Sequence, residues 1–221
     1  MCESWLLIRG NRLKAEDRKA LILECSKQLF SEYGYHKTQI SDIISRAKIA
    51  RGTVYQYFKN KDDIFITLLE DYFNKWQKIL VRRDYELDFT KITAVDFLKH
   101  RIKTTLQFFA DDHELCNIVL RMGVGLHENI EHVIKNLERD ILNIVKEEIH
   151  FGQRTKNVDE NMDTDLVASV LGGAVLKTAH FYFVQERERF KDKTVEDIAE
   201  GITRIFAPGL FAKDVWTRGK E

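Results

Sequence analysis

Residues 39–58 read QISDIISRAKIARGTVYQYF, and this stretch decides which fold the chain adopts. In its first half, Ile and Ala recur at three- and four-residue spacing, which predicts a short helix over residues 39–47 that Thr38 can cap. A second short helix is predicted over residues 51–58. Because only Lys48 to Ala50 separates the two helices, the pair has the proportions of a helix-turn-helix.

The second of these helices has an unusual outer face. At about 100° per residue, Val54 and Phe58 fall on one side of the helix and Gln56 points away from them. Gly52 and Thr53 lie beside Gln56, and tyrosines flank this face on both sides. Such a face can approach base edges closely, and its hydroxyls can reach phosphates. A solvated helix would more usually carry Lys and Glu, so the pattern favours nucleic-acid recognition over an ordinary bundle.

The rest of the chain also has a helical pattern. Residues 15–33 form a predicted helix ended by Gly34, and Asn60 caps a long helix towards Leu80 with Asp62 and Asp63 in its first turn. Further helices are predicted at 95–110, 113–122, 129–151, 165–185 and 195–206, with loops at 82–93 and 152–161. No stretch alternates with period two for long enough to predict a strand. The sequence therefore predicts an all-α protein.

Composition and charge narrow the functional classes. Residues 1–65 hold 12 Lys and Arg against 8 Asp and Glu, and the remainder holds 23 against 27, so a basic head precedes an acidic body. This asymmetry fits a polyanionic partner for the head. No apolar run reaches the roughly 18 residues of a membrane span, and the N-terminus does not resemble a secretory signal. We therefore expect a cytoplasmic protein without a membrane partner, whose Cys2, Cys25 and Cys116 are reduced thiols.

Residues 22–65 resemble the DNA-binding domain of the TetR family of bacterial and archaeal regulators. The resemblance rests on Gly34-Tyr35, on Thr38 and above all on residues 52–61, which nearly complete the family run Gly-Thr-x-Tyr-x-Tyr-Phe-x-x-Lys. It implies a three-helix helix-turn-helix DNA-binding domain at 1–60 and a helical ligand-binding and dimerisation domain at 61–221. Residues 1–12 are either a disordered tail or an arm that contacts DNA.

The family further implies a homodimeric repressor that binds a palindromic operator in double-stranded DNA and releases it when a small molecule binds. The same head would serve a DNA-binding architectural protein or a constitutive regulator without an effector, which is the alternative. By position, the resemblance implies base or groove contacts for Gln39, Arg51, Gly52, Thr53 and Gln56, and phosphate contacts for Thr38, Tyr55, Tyr57 and Lys61. Ala50 stands where the family often has a Ser or Thr that caps the recognition helix. Alanine has no side-chain acceptor, and the missing cap bond costs about 1 kcal/mol.

Small residues in the predicted helix 165–185 indicate a close contact with another helix. Two adjacent glycines cost helix propensity unless such an approach offsets it. Together with apolar positions in the last helix, they predict an intersubunit four-helix bundle. The predicted interface comprises Ala168, Leu171, Gly172, Gly173, Leu176, Ala179, Ile198, Ile202 and Phe206. The glycines would equally admit a helix of the same chain.

Aromatic residues concentrate in the middle helices, which indicates either a plain core or a cavity for an apolar or aromatic-containing effector. The predicted lining comprises Phe97, His100, Phe108, Met122 and His127. We predict no metal, because His127 and His132 would lie about 140° apart around a helix and could not chelate on one face. No nucleophile or acid-base pair has a workable spacing, so no catalytic residue, no cofactor and no enzymatic activity are expected.

Overall fold

Nine helices account for most of residues 15–88, 90–120 and 126–211, the parts of the chain that the computed structural model describes. The helices are α1 (Ala15–Tyr33), α2 (Ile40–Ala47), α3 (Arg51–Tyr57), α4 (Lys61–Asp84), α5 (Ala94–Asp111), α6 (His113–Leu120), α7 (Glu128–Arg154), α8 (Thr164–His180) and α9 (Val195–Leu210). A π-helical turn, Phe181–Gln185, continues α8. The all-α prediction is confirmed, and the proposed arm at 1–12 and Met122 lie outside the described residues.

The first three helices form a small head. Gly34 ends α1 with φ at +81°, a left-handed conformation that suits glycine, and Lys48 ends α2 with φ at +53°. Ile22, Ile43 and Val54, one from each helix, have no exposed surface. Their burial fixes the angle between α2 and α3, and it leaves the opposite face of α3 in solvent.

The long helix α4 joins this head to the body of the protein. Its first turns bury Ile64 and Phe65 against the head, and its later turns bury Tyr72 and Trp76 among the helices of the body. One continuous apolar core therefore runs through both parts. A movement of the body helices around α4 can consequently reach the head without crossing a flexible linker.

Several helix ends differ from the predicted ones. Gln39 rather than Thr38 is the N-cap of α2, and its backbone N–H donates to the Asp42 carboxylate over 2.8 Å. The chain continues as helix to Asp84, so the predicted loop at 82–93 begins later, and α9 extends past Phe206 to Leu210. The Asn60 cap is confirmed, because its side-chain oxygen accepts the N–H of Asp63 at 2.8 Å.

Gly152 marks a close approach between the end of α7 and the loop that follows it. A Cβ added at this position would lie 2.5 Å from Cγ2 of Val158. Val158 is itself buried in a second apolar cluster with Ile149, Ala168 and Phe211. The branched valine cannot swing away as a long flexible side chain would, so the contact requires glycine.

We expect Gly152→Ala to lower the free energy of unfolding by about 1 to 3 kcal/mol, the usual cost of overpacking a core. Thermal or urea unfolding measures the change. In a double-mutant cycle with Val158→Ala, the alanine at 152 should cost less once the valine methyls are gone. Equal costs in both backgrounds would contradict the assigned contact.

Candidate DNA-reading surface and effector cavity

Helix α3 presents the face that the sequence predicts. Val54 and Phe58 are buried, whereas Arg51, Gly52, Tyr55 and Gln56 are exposed. A Cβ at Gly52 would meet no atom within 4 Å, so the backbone here can approach another molecule closely. Thr53 and Tyr57 are half-buried at the margins. The helix therefore offers a slim centre with polar groups on either side, the arrangement that groove recognition requires.

Two groups on this face are already oriented by the chain itself. The Arg51 guanidinium lies 5.6 Å from the centre of the Tyr55 ring, which limits the positions of both side chains. Ala50 is the N-cap of α3 and makes no side-chain cap bond, as the sequence indicates. In the first turn of α3 the N–H of Thr53 instead donates to the backbone carbonyl of Ala50 at 2.9 Å.

Thr38 does not belong to the exposed contact surface. Thr38 is only 1% exposed, and its hydroxyl lies 2.9 Å from the carbonyl oxygen of Gly34 and 3.3 Å from that of Leu29. The side chain thus closes the turn between α1 and α2 and cannot reach a phosphate. The predicted phosphate contact is wrong because the turn consumes the hydroxyl. Gln39, the next residue, is exposed.

Lys61 is half-buried and has internal partners. Its ammonium donates to the backbone carbonyls of Tyr35 at 2.8 Å and Thr38 at 3.0 Å, and it lies 4.1 Å from the centre of the Tyr35 ring. Burial lowers the pKa of this ammonium. An ammonium has three donors, so one remains for a phosphate. Lys61 therefore supports the turn that positions α2, whatever further contact it makes.

Helices α4 to α8 enclose a cavity of about 330 Å³, a size within the range of small-molecule sites. Most of its wall is aliphatic or aromatic, including Phe73 and Trp76 of α4, Phe109 of α5 and Ile141 of α7. Val119 of α6 and Val175 of α8 complete the wall. Such a lining accommodates an apolar chain or ring.

A few polar side chains interrupt the apolar wall. Arg101 of α5 bridges two carboxylates, because its Nη1 lies 3.1 Å from Asp84 and its Nη2 bonds Glu148. Burial raises the pKa of Glu148 although Arg101 opposes the shift. Glu138 also lines the cavity, and the Trp76 indole N–H donates to Thr105 over 3.3 Å. The cavity thus has an apolar body and one charged end, formed by Arg101 with Asp84 and Glu148, whereas Glu138 lies about 15 Å from Glu148 along α7.

The predicted effector residues occupy different places. Phe108 lines the cavity, whereas Phe97 and His100 do not belong to its wall. His100 instead lies 3.8 Å from Asp84, and burial lowers its pKa, so it is neutral at pH 7. His127 is the N-cap residue of α7, where it contacts Asp62, and it is not among the described residues that line the cavity.

The polar residues of the cavity were missed, although the sequence contains a signal for them. Arg101, Thr105 and Phe108 recur at helical spacing on α5, so the stripe that identifies Phe108 also includes the other two. On α7, Glu148 continues the apolar stripe of Ile141 and Val145. A charged residue within an apolar stripe is the observation that would have identified this end of the cavity.

Two sets of polar contacts join the body to the head. The buried ammonium of Lys27 on α1 lies 3.2 Å from Asp112 and 3.3 Å from Glu114 at the start of α6. Asn117 of α6 donates to the Ser31 carbonyl of α1 over 3.2 Å. Helix α6 therefore contacts the head on one side while Val119 faces the cavity on the other.

The second set lies where α4 and α7 begin. Asp62 accepts from the Tyr35 hydroxyl, pairs with His127 over 2.8 Å and accepts from Asn129 over 3.3 Å. Burial of Asp62 is outweighed by these hydrogen bonds, which lower the pKa of the carboxyl. Asn117 of α6 and His127 and Asn129 at the start of α7 thus contact Ser31 and Asp62.

The predicted dimer residues differ in how far their own chain covers them. Ala168, Leu171, Ala179, Ile198 and Ile202 are buried within their own chain, so they have little surface left for a partner. Leu171, Gly172 and Leu176 line the cavity, and Phe206 is half-buried. Gly173 alone of the predicted set is exposed, and a Cβ there would meet no atom within 4 Å.

A different apolar surface remains uncovered on the last two helices. Leu166, Val170 and Gly173 follow one another along α8 at helical spacing, and all are exposed. Ile205 of α9 is 75% exposed, between the exposed glycines 201 and 209. We call these four residues, Leu166, Val170, Gly173 and Ile205, the α8–α9 face. Small residues beside large exposed apolar ones are typical of helix faces that pack against another helix.

Comparison with known proteins agrees with this geometry. Residues 22–68 match the family described as bacterial regulatory proteins, tetR family. This range covers most of α1, all of α2 and α3 and the first turns of α4. These residues are a DNA-binding domain of the TetR family. Transcriptional regulation through DNA binding follows from that membership, and the relatives found are transcriptional regulators, not enzymes.

Similarity to known proteins extends beyond the head. The fatty acid metabolism regulator protein of Bacillus subtilis is 26% identical over 171 residues, covering 76% of this chain and 84% of the relative. The fatty acid degradation regulator FadR of Bacillus halodurans superposes with a TM-score of 0.72 at 20% identity, covering 90% and 98% of the two chains. FadR of B. subtilis in complex with stearoyl-CoA gives 0.71 at 23% identity, covering 85% and 97%.

The exposed face of α3 leads to a direct prediction. Gln56→Ala should change the preferred base at one operator position and cost about 1 to 3 kcal/mol there, because an amide side chain discriminates between base edges. Mobility-shift titration against operators varied one base pair at a time measures the change. Affinity for unrelated DNA, the control, should stay as it is. An unaltered base preference would contradict the assignment of Gln56 to a base.

Proposed function

We propose that the chain is a repressor that acts in the cytoplasm and releases a palindromic operator when a small apolar molecule occupies the cavity between α4 and α8. The position of α6 carries this proposal. One side of this helix contributes Val119 to the cavity wall, and its other side holds α1 of the head through Asn117 and the partners of Lys27. A ligand that displaces α6 therefore displaces the head.

The size of the required effect is modest. A ligand shifts an equilibrium only by its difference in affinity for the two conformations. About 1 to 3 kcal/mol of coupling changes operator affinity by roughly 5- to 150-fold. Lys27 and Ser31 of α1 contact Glu114 and Asn117 of α6, which borders the cavity, so small movements of α6 would move α1 and alter the spacing of two heads.

The effector that we infer carries a long acyl chain. The lining is mostly apolar and comes from five helices, and relatives include a fatty acid metabolism regulator and a FadR structure that contains stearoyl-CoA. An acyl chain buries its methylenes along such a wall, at about 0.8 kcal/mol for each one. Its polar end would lie near Arg101, beside the charged end of the cavity.

The proposal also requires a dimer, for which the α8–α9 face is the proposed interface. Residues 164–185 make a helix apolar and long enough to cross a membrane, yet only 22% of its most apolar part is buried within the chain. One side of this helix packs in the core through Ala168 and Val175. A second copy that covers the other side accounts for the remaining apolar surface and places two heads on one palindrome.

The experiment that tests the proposal is a mobility-shift titration of the purified dimer with the intergenic DNA beside its own gene, with and without stearoyl-CoA. We expect the ligand to weaken binding by at least about fivefold, with no effect of free coenzyme A. Salt should weaken binding steeply in both cases, since phosphate contacts release counterions. Tight binding that ligand leaves unchanged would favour the alternative, a constitutive or architectural DNA-binding protein.

A further inference from the structure

The charged end of the cavity is not a simple cationic anchor. Arg101 is the only cationic side chain among the described residues that line the cavity, and Glu148 bonds its guanidinium at this end. Asp84 contacts the same guanidinium at 3.1 Å from outside the lining. His100, next to Asp84, is neutral at pH 7 because burial lowers its pKa. Carboxylates therefore outnumber the single cation.

This imbalance decides which polar groups the cavity can accept. The positive charge of Arg101 is already neutralised by two carboxylates, and its side chain is only 15% exposed. A third carboxylate brought to this end would face Glu148, and it would also have to lose its own hydration. A carbonyl oxygen without charge avoids both costs, and it can accept one of the guanidinium donors that Asp84 and Glu148 leave free.

We propose that the cavity selects an acyl group in a neutral linkage, an ester, thioester or amide, and discriminates against the free fatty-acid anion. The inference rests on the proposed effector function, because it assumes that an acyl chain occupies the apolar body of the cavity. The selectivity arises from the three groups Arg101, Asp84 and Glu148 acting together. Loss of either carboxylate leaves the guanidinium less neutralised and should admit an anionic head group.

The test compares decanamide with decanoate, two ligands of the same chain length and nearly the same shape that differ in charge. Calorimetry with wild-type protein should give at least about tenfold tighter binding for decanamide. In Glu148→Gln this ratio should fall towards one. Glu147→Gln is the matched control, since Glu147 is the exposed neighbour on α7 and does not line the cavity. Its ratio should equal that of the wild type.

Asp84→Asn provides a second variant that removes the other carboxylate, and it should lower the ratio even if Glu148→Gln does not fold. Equal or tighter binding of decanoate by the wild type would overturn the proposal, as would equal ratios in Glu147→Gln and Glu148→Gln. If neither ligand binds, the cavity is not an acyl site and the proposal falls. If decanamide binds selectively and operator affinity is unchanged, the selectivity stands and the proposed function fails.

Discussion

Val170→Asp should convert the protein from a dimer into a monomer and lower operator affinity by at least about 100-fold. Val170 is 49% exposed in the single chain and lies in the centre of the α8–α9 face, between Leu166 and Gly173. In a twofold dimer each substitution occurs twice, so two carboxylates would be buried against apolar surface. A monomer presents one reading head and cannot occupy both half-sites of a palindrome. Light scattering and mobility-shift titration measure the two effects.

A matched control separates association from folding. Val81 of α4 is 56% exposed and lies outside the α8–α9 face, so Val81→Asp should leave the dimer and the operator affinity intact. Gly173→Leu, which adds bulk where the chain itself leaves space, should dissociate the dimer as Val170→Asp does. If Val170→Asp and Gly173→Leu both remain dimers as stable as the wild type, the proposed interface is contradicted.

Lys27→Met should abolish most of the ligand response. Lys27 is 7% exposed, and its ammonium joins α1 to α6 through Asp112 and Glu114 while it also contacts Glu24. Methionine preserves much of the packing and leaves three carboxylates around an uncharged side chain. We expect the free energy of unfolding to fall by about 2 kcal/mol, since one partner of a largely buried ionic cluster is lost. The displacement of α6 would then reach the head only weakly, through the remaining contact between Asn117 and Ser31.

The pH dependence of this contribution follows from the pKa of Lys27. Burial lowers the pKa, but Asp112 and Glu24 together raise it above its ordinary value of 10.5. A group whose pKa is raised in the folded state stabilises the fold fully below its unfolded pKa and loses that contribution as pH rises through the folded one. The stability difference between wild type and Lys27→Met should therefore be constant near neutral pH and decrease above about 10.5.

The control for this variant is Arg46→Met, which removes an ion pair with Glu32 inside the head. Because this pair is exposed and contacts no body helix, its loss should cost little stability and preserve the ligand response. Operator affinity with and without stearoyl-CoA, measured for both variants, provides the comparison. A Lys27→Met protein with the wild-type ligand response would show that α1 and α6 are not coupled through this cluster.

The sequence predicts the parts of this structure that depend on local pattern. Helical spacing determines where each helix forms, and the buried pair Val54 and Phe58 determines which side of α3 faces outward. The Thr38 assignment fails because its hydroxyl meets the Gly34 and Leu29 carbonyls only after the turn closes. That geometry requires Leu29, Gly34 and Thr38 to come together in the folded turn, and the sequence pattern around Thr38 does not show this.

The cavity and the dimer face depend on contacts between distant segments. The sequence marks Arg101 and Glu148 each as a charge within an apolar stripe, but their pairing arises only when α5 and α7 come together around the cavity. On α8, the adjacent glycines face different ways. A Cβ added at Gly172 would lie 3.8 Å from Leu142 of the same chain, whereas a Cβ added at Gly173 would meet no atom within 4 Å. Helical spacing identifies a small-residue stripe, and only the packing of α7 shows which side of it is covered.

The central claim is that the cavity and the operator are coupled, and calorimetry of stearoyl-CoA binding with and without operator DNA tests it most directly. Coupling is reciprocal, so operator DNA must weaken ligand binding by the same factor by which the ligand weakens operator binding. We predict equal factors, of at least about fivefold, for the wild-type dimer, and no change when unrelated DNA replaces the operator. Ligand binding that is equally tight on free and operator-bound protein would contradict the account, because the cavity would then be no switch.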